Sequence, residues 1–374
     1  MKKTIFYTLF ATLLSANYLT NKSCSECHEG IFEEYQSSYH SKTYFNDELH
    51  RKVADLAAKE DNYDCSSCHM PSAPNQKELE NGTAKQNQTD QRDKDAISCF
   101  YCHQIAYVKQ KHLKNRIILA RQAEGYKPTI YGSLKNPEDS DKHTMTHSPI
   151  YDKYACVGCH SHKRNSHDTL IFNAMSEKED SKECIKCHMP LIDGKVEKMD
   201  KKSRLQHHNH TFDGIHDASM RKKSLDIDIS ASKNTLHVKL KNRMPHPLII
   251  QVARLKYLKL TIKRGKKIIW KNYKKSPTED KQGAFKIDFL GKDGKPVIIP
   301  AFAYKRGFVN NIEAKETKIL KYRVPNLKKG DIITASMYVI LAKPSCWKIL
   351  DLKDSSLKTP MLLNSITYKF KGNR

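Results

Sequence analysis

The stretch CSECHEGIFEEYQSSYH, residues 24–40, opens on two cysteines and a histidine in the spacing C-x-x-C-H. The same spacing returns in four more places along the chain: CSSCH (65–69), CFYCH (99–103), CVGCH (156–160) and CIKCH (184–188). The five copies use every cysteine of the chain except Cys346. Because the signature is repeated so often, whatever it holds in place decides the fold of the first half of the protein.

The spacing C-x-x-C is shared by several kinds of site, and the histidine separates them. A zinc ribbon needs paired thiolates but no histidine at the fifth position of every copy, and a redox dithiol needs only one copy. Disulfides would not impose the histidine either. In c-type haem attachment the two thiols form thioethers with the vinyl groups, and the histidine binds the iron. The sequence therefore predicts five covalently bound haem c groups.

Both roles in this chemistry are assigned to residues of the five motifs. The predicted attachment residues are the motif cysteines Cys24, Cys27, Cys65, Cys68, Cys99, Cys102, Cys156, Cys159, Cys184 and Cys187. The predicted proximal iron ligands are the motif histidines His28, His69, His103, His160 and His188. A second histidine on an iron would give a low-spin electron carrier, whereas a missing sixth ligand would leave an iron open to substrates.

Thirteen further histidines supply candidates for that second, distal position. A helix predicted over 31–39 places His40 about 18 Å along its axis from His28, so His40 is expected to serve a neighbouring haem. His147 precedes the fourth motif and is a second candidate, and the cluster HHNHTFDGIHD (207–217) offers more. An ordinary exposed or hydrogen-bonded role is favoured for His50, His143, His162 and His167.

The ends and the charge of the chain bear on where it works. Residues 1–16 combine a basic start, an apolar run and small residues, which predicts a cleaved secretory signal and a periplasmic protein. The formal net charge is +25 and the mean hydropathy is −0.70. This low hydropathy is expected if porphyrins fill much of the interior. A basic surface suits acidic redox partners or a small anionic substrate, and export argues against nucleic acid.

The pattern changes at about residue 224. SLDIDIS (224–230) and TLHVKLKN (235–242) alternate apolar and polar residues, as half-buried strands do, and Arg264-Gly265 between two such runs predicts a hairpin. The fold class expected is therefore a haem domain of short helices and irregular structure over 17–222, followed by an antiparallel β-sandwich over 223–374. Cys346 is expected to be buried rather than paired with another chain. The polar stretches 217–224 and 75–95 are expected to form a linker between the domains and a mobile loop between the second and third haems.

With these motifs the chain resembles the multihaem cytochromes c of the cytochrome c-554 type, relatives of hydroxylamine oxidoreductase. The resemblance is carried by residues 24–40, the two CHMP copies, HSPIYDKYACVGCH (147–160) and HTFDGIH (210–216), and it covers about the first 220 residues. It implies that the distal iron ligands include His40, His147, His210 and His216. A loosely similar turn, NRMPHPLII (242–250), carries Pro245 where the family has glycine, so a ligand role for His246 is not expected.

The resemblance also bears on function. The many spare histidines favour an electron carrier between periplasmic redox proteins, because five distal ligands are easily found. A membrane quinol-oxidising complex is one candidate partner. The alternative is an oxidoreductase with one open haem that acts on a small nitrogen or sulfur oxyanion, so enzyme activity stays undecided. The absence of CxxCK and the presence of five motifs rather than eight depart from the enzymatic relatives. A third reading is a subunit whose β-domain docks on a membrane complex.

Overall fold

The computed structural model describes residues 18–42, 44–59, 62–123, 125–175, 184–194 and 204–372. The predicted signal at 1–16 lies outside these ranges. Within them, no helix is both long enough and apolar enough to cross a membrane.

Short elements make up the first part of the chain. Its helices are α1 (Asn21–Ser25), α2 (Glu29–Ser37), α3 (Glu48–Ala57), α4 (Ser66–His69), α5 (Gln76–Glu80), α6 (Gln91–Lys94), α7 (Cys99–Cys102), α8 (Ile150–Lys153), α9 (Cys184–His188) and α10 (Ala218–Lys223). Its strands are β1 (Ile105–Lys109), β2 (Arg116–Leu119), β3 (Thr129–Gly132), β4 (Thr144–His147), β5 (His162–Arg164), β6 (Leu170–Asn173), β7 (Leu191–Asp193) and β8 (Gln206–His208). These strands form four separate pairs, of which β3–β4 is parallel and the others are antiparallel.

The second part is rich in β-structure. Its strands are β9 (Leu225–Ser232), β10 (Thr235–Asn242), β11 (Leu255–Arg264), β12 (Lys267–Lys271), β13 (Ala284–Leu290), β14 (Pro296–Val297), β15 (Lys305–Asn310), β16 (Thr317–Arg323), β17 (Ile332–Ile340) and β18 (Met361–Lys369), with one helix, α11 (Pro344–Ile349). One sheet has the order β16-β10-β9. The other follows the path β14-β13-β11-β17-β18, with β12 paired to β11 and β15 to β13. All of these pairings are antiparallel.

The alternating sequence of this part is explained by one apolar core. On β10 the side chains of Leu236, Val238 and Leu240 are fully buried while the residues between them are more exposed, which is the period of a strand with one covered face. They share a hydrophobic cluster with Leu260 of β11. The predicted hairpin is confirmed, because β11 pairs with β12 across Gly265, whose φ is +58°. The packing of these sheets as a sandwich stays a prediction.

Two segments differ from the expected organisation. The polar stretch 217–224, expected as a linker, contains helix α10, and the side chain of Asp217 accepts a hydrogen bond from the Met220 amide at its start. The polar stretch 75–95, expected as a loop, contains α5 and α6. In both cases a local cap or turn stabilises a short helix that the polar composition concealed.

The two parts of the chain are in contact. Helix α3 packs Ala57 against a cluster around Leu341 and Cys346, which is 2% exposed and so confirms the expected burial. The Glu48 carboxylate, at the start of α3, accepts hydrogen bonds from the amides of Lys353 and Asp354 at 2.8–3.1 Å. The β-rich part is thereby tied to the helix that precedes the second motif.

Candidate functional site

Each C-x-x-C-H motif lies on a single helical or 3-10 turn. The amide of the motif histidine donates to the carbonyl of the first cysteine in four copies: His28 to Cys24 at 2.9 Å, His69 to Cys65 at 3.0 Å, His103 to Cys99 at 2.9 Å and His160 to Cys156 at 2.9 Å. The fifth copy is helix α9 itself. Because residues i, i+3 and i+4 share a helix face, both thiols and the imidazole project to the same side of each turn. All eleven cysteines are free of disulfides, so the ten motif thiols are available for attachment.

Backbone carbonyls hold several imidazoles by their Nδ1 atoms. His103 Nδ1 lies 2.6 Å from the Tyr131 carbonyl oxygen, and His188 Nδ1 bonds to the carbonyl of Asp213. His210 Nδ1 is held in the same way, 2.7 Å from the His208 carbonyl. A histidine that donates its Nδ1–H to a carbonyl presents the lone pair of Nε2, as metal-binding histidines usually do. The three rings are thus in the tautomer that an iron requires.

Three motif histidines face a second histidine at a regular distance. The ring centroids are 6.2 Å apart for His28 and His143, 6.5 Å for His103 and His210, and 5.8 Å for His160 and His40. Two metal–nitrogen bonds of about 2 Å each, added to half of each ring, separate two centroids by about 6 Å. Each of these pairs therefore leaves the room that one iron between two imidazoles needs.

The second motif differs from these three. The ring of His50 stacks on that of His69 with centroids only 3.7 Å apart. The Nε2 atom of His50 lies 2.8 Å from the hydroxyl of Tyr63. This separation leaves no room for an atom between the rings, and the Nε2 lone pair or proton is already engaged. His50 is therefore arranged differently from the other opposed histidines.

The fifth motif lies near a histidine of the β-rich part. His246 is close enough to His188 for their charges to interact, and burial lowers the pKa of His246 to about 4. Its Nδ1 lies 3.0 Å from the Pro247 carbonyl, so the neutral ring presents Nε2. Sequence reasoning set this residue aside because of Pro245. The orientation of the ring is fixed by the carbonyl of Pro247, whose effect the sequence does not reveal.

The predicted distal residues are thus placed differently from one another. His40 and His210 face the motif histidines His160 and His103. His147 ends strand β4, and its buried Nε2 has no hydrogen-bond partner among the described residues. His216 stacks on the ring of Tyr39 with centroids 3.7 Å apart. Within the described ranges, neither His147 nor His216 forms a ring contact with a motif histidine.

The ring of His160 in the fourth motif keeps accessible surface although protein surrounds it. The side chain of His160 is exposed, yet the surrounding protein lowers its pKa. The pKa of the neighbouring His40 is lowered to about 3, mainly by burial and to a lesser extent by the charge of His160. The exposure of His160 and its lowered pKa are compatible if protein surrounds the ring on most sides while no side chain lies directly against it. Most of the buried hydrophobic side chains lie after residue 224. The first part of the chain therefore has the thin core and the uncovered imidazoles that a large apolar cofactor would complete, and the residues present fit haem.

Neighbouring motifs approach one another through their cysteines. The thiol of Cys24 in the first motif interacts with that of Cys99 in the third. The thiol of Cys68 in the second motif interacts with that of Cys159 in the fourth. The third and fourth motifs, and the fourth and fifth, also bring cysteines within electrostatic range of each other. All five motifs therefore belong to one connected group.

A glutamate that the sequence analysis did not single out supports the His207–His210 segment. Glu34, on helix α2, has one carboxylate oxygen 2.8 Å from His207 Nε2, and its other oxygen accepts from the His210 amide at 2.8 Å. The side chain is 19% exposed. Its position fixes the loop that presents His210 to His103, and no local pattern in the sequence marks it.

The chain is similar to known cytochromes in part of its sequence and in its fold. Residues 23–104, which hold the first three motifs, match the family model described as cytochrome c554 and c-prime. Among solved structures, the chain is similar to a penta-heme cytochrome c552 from Thermochromatium tepidum. The TM-score is 0.69 at 20% identity, over 94% of this chain and 99% of the other. That likeness shows a shared fold. A search of curated proteins finds no match.

Proposed function

We propose that the chain is a multihaem c-type cytochrome that carries five covalently bound haem c groups and passes electrons between periplasmic redox proteins. The family-model match over residues 23–104 and the shared fold support this proposal. The observation that carries this proposal is the contact between motifs, above all Cys24 with Cys99 and Cys68 with Cys159. Cofactors bonded to adjacent thiols must themselves be adjacent. Bound haem supplies reversible one-electron chemistry at its iron. The chain contributes the spacing that keeps the five sites in one connected path.

Four irons in this proposal have two histidine ligands. His28 and His143 hold the first, His103 and His210 the third, His160 and His40 the fourth, and His188 and His246 the fifth. Carbonyl acceptors at the Nδ1 atoms of both histidines of the third and fifth irons keep those rings from turning when the iron changes charge. A rigid ligand set requires little reorganisation on electron transfer, which suits a carrier.

The proposals on export and on redox partners rest on the predicted signal and on the net charge of the chain, and not on the arrangement of the described residues. The signal predicted at 1–16 would deliver the chain to the periplasm, where haem c is attached and thiols meet an oxidising environment. The net charge of +25 suits partners with acidic docking surfaces. A membrane quinol-oxidising complex is one such partner. Reduction by an acidic donor protein is then expected to slow as salt is added.

The test is a pyridine haemochrome assay combined with EPR of the oxidised protein. Five covalent haems for each chain, at least four of them low-spin, are expected. A lower haem count in fully matured protein would contradict the proposal. A protein with five haems that cannot be re-oxidised by any redox protein would also contradict the carrier role.

The alternative function, oxidoreduction of a small nitrogen or sulfur oxyanion, is favoured by one observation at the second motif. His50 is bound to Tyr63 and lies too close to His69 to share an iron with it in this arrangement. An iron held by His69 alone would be high-spin and open to a ligand. One high-spin EPR signal that changes on addition of nitrite, hydroxylamine or sulfite would support the enzyme. Five low-spin signals would exclude it.

A further inference from the structure

One end of the β-rich part is built from four chain segments that are bonded to one another. They are the turn between β9 and β10, the turn between β11 and β12, the loop between β16 and β17, and the end of β18, which we call together the basic end: residues 231–235, 263–268, 323–332 and 369–372. The amide of Leu327 in the loop donates to the carbonyl of Lys233 at 2.7 Å. The carbonyl of Asp331, also in the loop, accepts from the Phe370 amide at 2.9 Å, and its carboxylate forms an ion pair with Arg264.

The basic end carries a large excess of positive charge. It contains ten lysine and arginine residues and one acid, whereas the whole chain has 66 and 41. Eight of the ten are exposed lysines that form no ion pair with a described residue: Lys233, Lys263, Lys266, Lys267, Lys328, Lys329, Lys369 and Lys371. The acid, Asp331, is 2% exposed, and its two carboxylate oxygens accept from Arg264 at 2.8 and 2.9 Å. The charge of the lysines is therefore not compensated within the basic end.

The basic end lies at the opposite end of the sheet from the contact with the first part of the chain. Strand β17 begins there at Ile332 and ends at Ile340, and its nine residues span about 26 Å. Leu341 follows and shares a cluster with Ala57 of helix α3. Among the described residues, no hydrogen bond joins the basic end to a residue before 204. Because a redox protein must approach a haem to exchange electrons, this end is poorly placed for such a partner.

The kind of cation favours a lipid surface over a protein. Protein interfaces are enriched in arginine and depleted in lysine, because the guanidinium makes directed, paired hydrogen bonds. An ammonium on a flexible stem is a hydrated point charge, which suits a surface of mobile phosphates, and clusters of four to eight such residues are typical of segments that bind anionic lipids. Ile268, next to Lys267, is 44% exposed and adds an apolar side chain that the head-group region accepts.

We propose that the basic end binds the anionic surface of a phospholipid membrane. This inference goes beyond the proposed electron transfer and does not depend on haem loading. The β-rich part would then hold the motifs about one strand length from the lipid, where redox proteins can reach them.

Two triple variants of the holoprotein lose the same charge in different places. The first replaces three lysines of the basic end: Lys266→Gln, Lys267→Gln and Lys329→Gln. The control replaces three exposed lysines outside it: Lys292→Gln, Lys305→Gln and Lys348→Gln. Because all six side chains are exposed, both variants should keep the thermal transition of the wild type in circular dichroism.

Co-sedimentation with vesicles measures the binding. The wild type and the control should bind vesicles that contain phosphatidylglycerol and should not bind vesicles of phosphatidylcholine alone. The first variant should bind at least about tenfold more weakly than the control, since each lysine near an anionic surface strengthens binding severalfold. Binding should disappear in about 1 M salt, where the Debye length falls to about 3 Å.

Three outcomes would overturn the proposal. A wild type that does not prefer vesicles with phosphatidylglycerol has no lipid site. Equal binding by the two variants would show that the net charge of the chain, and not the basic end, attracts the vesicles. A wild type that binds poly-L-glutamate but neither kind of vesicle would assign the basic end to an acidic protein instead.

Discussion

At the residue scale, two histidines only four positions apart, His143 and His147, are both candidates for a distal iron ligand. The ring of His143 lies 6.2 Å from that of His28, and its Nδ1 is 3.3 Å from the Thr144 carbonyl. His147 is the last residue of β4, where the parallel pairing with Gly132 fixes its backbone. Among the described residues, His143 makes the ring contact with His28 and His147 makes none with a motif histidine. His143 is therefore assigned as the partner of His28.

Substitution of each histidine tests this assignment. The variant His143→Ala should convert one low-spin haem to high-spin, because its iron loses a strong nitrogen ligand. The variant His147→Ala should keep every low-spin signal of the wild type. EPR and the visible charge-transfer band report both results, and His167→Ala, an exposed histidine stacked on Tyr304, serves as a control. If His147→Ala instead produces the high-spin haem and His143→Ala does not, then His147 is the ligand opposite His28.

An ion cluster beside the second motif gives a pH-dependent prediction. Asp64, next to Cys65, forms ion pairs with Lys114 and Lys163, and Lys114 also pairs with Glu80 at 2.5 Å. Burial alone would raise the pKa of Asp64, but the two ammonium groups outweigh it and lower the pKa to about 2. A folded pKa below the unfolded one stabilises the protein above about pH 4. This stabilisation disappears as the pH falls through about 2.

The variant Asp64→Asn should therefore lose about 1 to 2 kcal/mol of unfolding free energy at neutral pH, since two half-buried lysines lose a partner and solvent weakens the effect. The difference from wild type should shrink below pH 4 and vanish near pH 2. Denaturant unfolding at a series of pH values measures it. Asp168→Asn, which removes an exposed pair with His112, should change little. If the difference in unfolding free energy between the variant and wild type does not change with pH, the charge of Asp64 does not stabilise the protein.

At the element scale, the turn of the fourth motif is shaped by strand β2. Gly158, a spacer residue of that motif, is buried, and a Cβ atom there would lie 2.3 Å from Cγ1 of Ile117. Ile117 is held by its pairing with Val108 on β1. A branched side chain within a fixed pair cannot move aside easily.

The variant Gly158→Ala should cost about 1 to 3 kcal/mol of unfolding free energy, the usual range for overpacking. The double variant Gly158→Ala with Ile117→Ala should be less destabilised than the sum of the two single changes, because the second change removes the clash. Denaturant unfolding of the four proteins gives the coupling. Additive effects would show that Ile117 is not the obstacle.

Elements also show how far the sequence could lead. Alternating patterns located β9, β10 and the hairpin at Gly265, because each such strand has one face in a single core. Strand β15 was missed, since its residues are mostly exposed and only its register with β13 defines it. The motifs predicted the turns that hold the proximal histidines, because each turn is formed by consecutive residues of one motif. The position of His210 opposite His103 joins residues that are far apart in the sequence. It depends on Glu34 and on the loop that Glu34 fixes.

At the scale of the whole molecule, the two parts of the chain are stabilised by different means. The β-rich part has a continuous core that includes Leu260 and Phe285. In the first part, a small cluster around Tyr63, Met70 and Leu79 is the main group of buried apolar side chains among the described residues. A core this small does not offset the conformational entropy of folding. The first part is therefore expected to need its cofactors, whereas the second is not.

Limited proteolysis of protein made without haem attachment tests this division. The haem-free chain should be cut readily before residue 204 and leave a resistant fragment that begins between 204 and 225, where the β-core starts. The holoprotein, digested in parallel, should resist cleavage over both parts, because bound haem adds buried contacts that only the folded state makes. Mass spectrometry of the fragments locates the cuts, and circular dichroism of the resistant fragment should show a cooperative thermal transition. A haem-free chain that resists cleavage throughout would mean that the first part folds on its own core, and the uncovered imidazoles would then need another explanation.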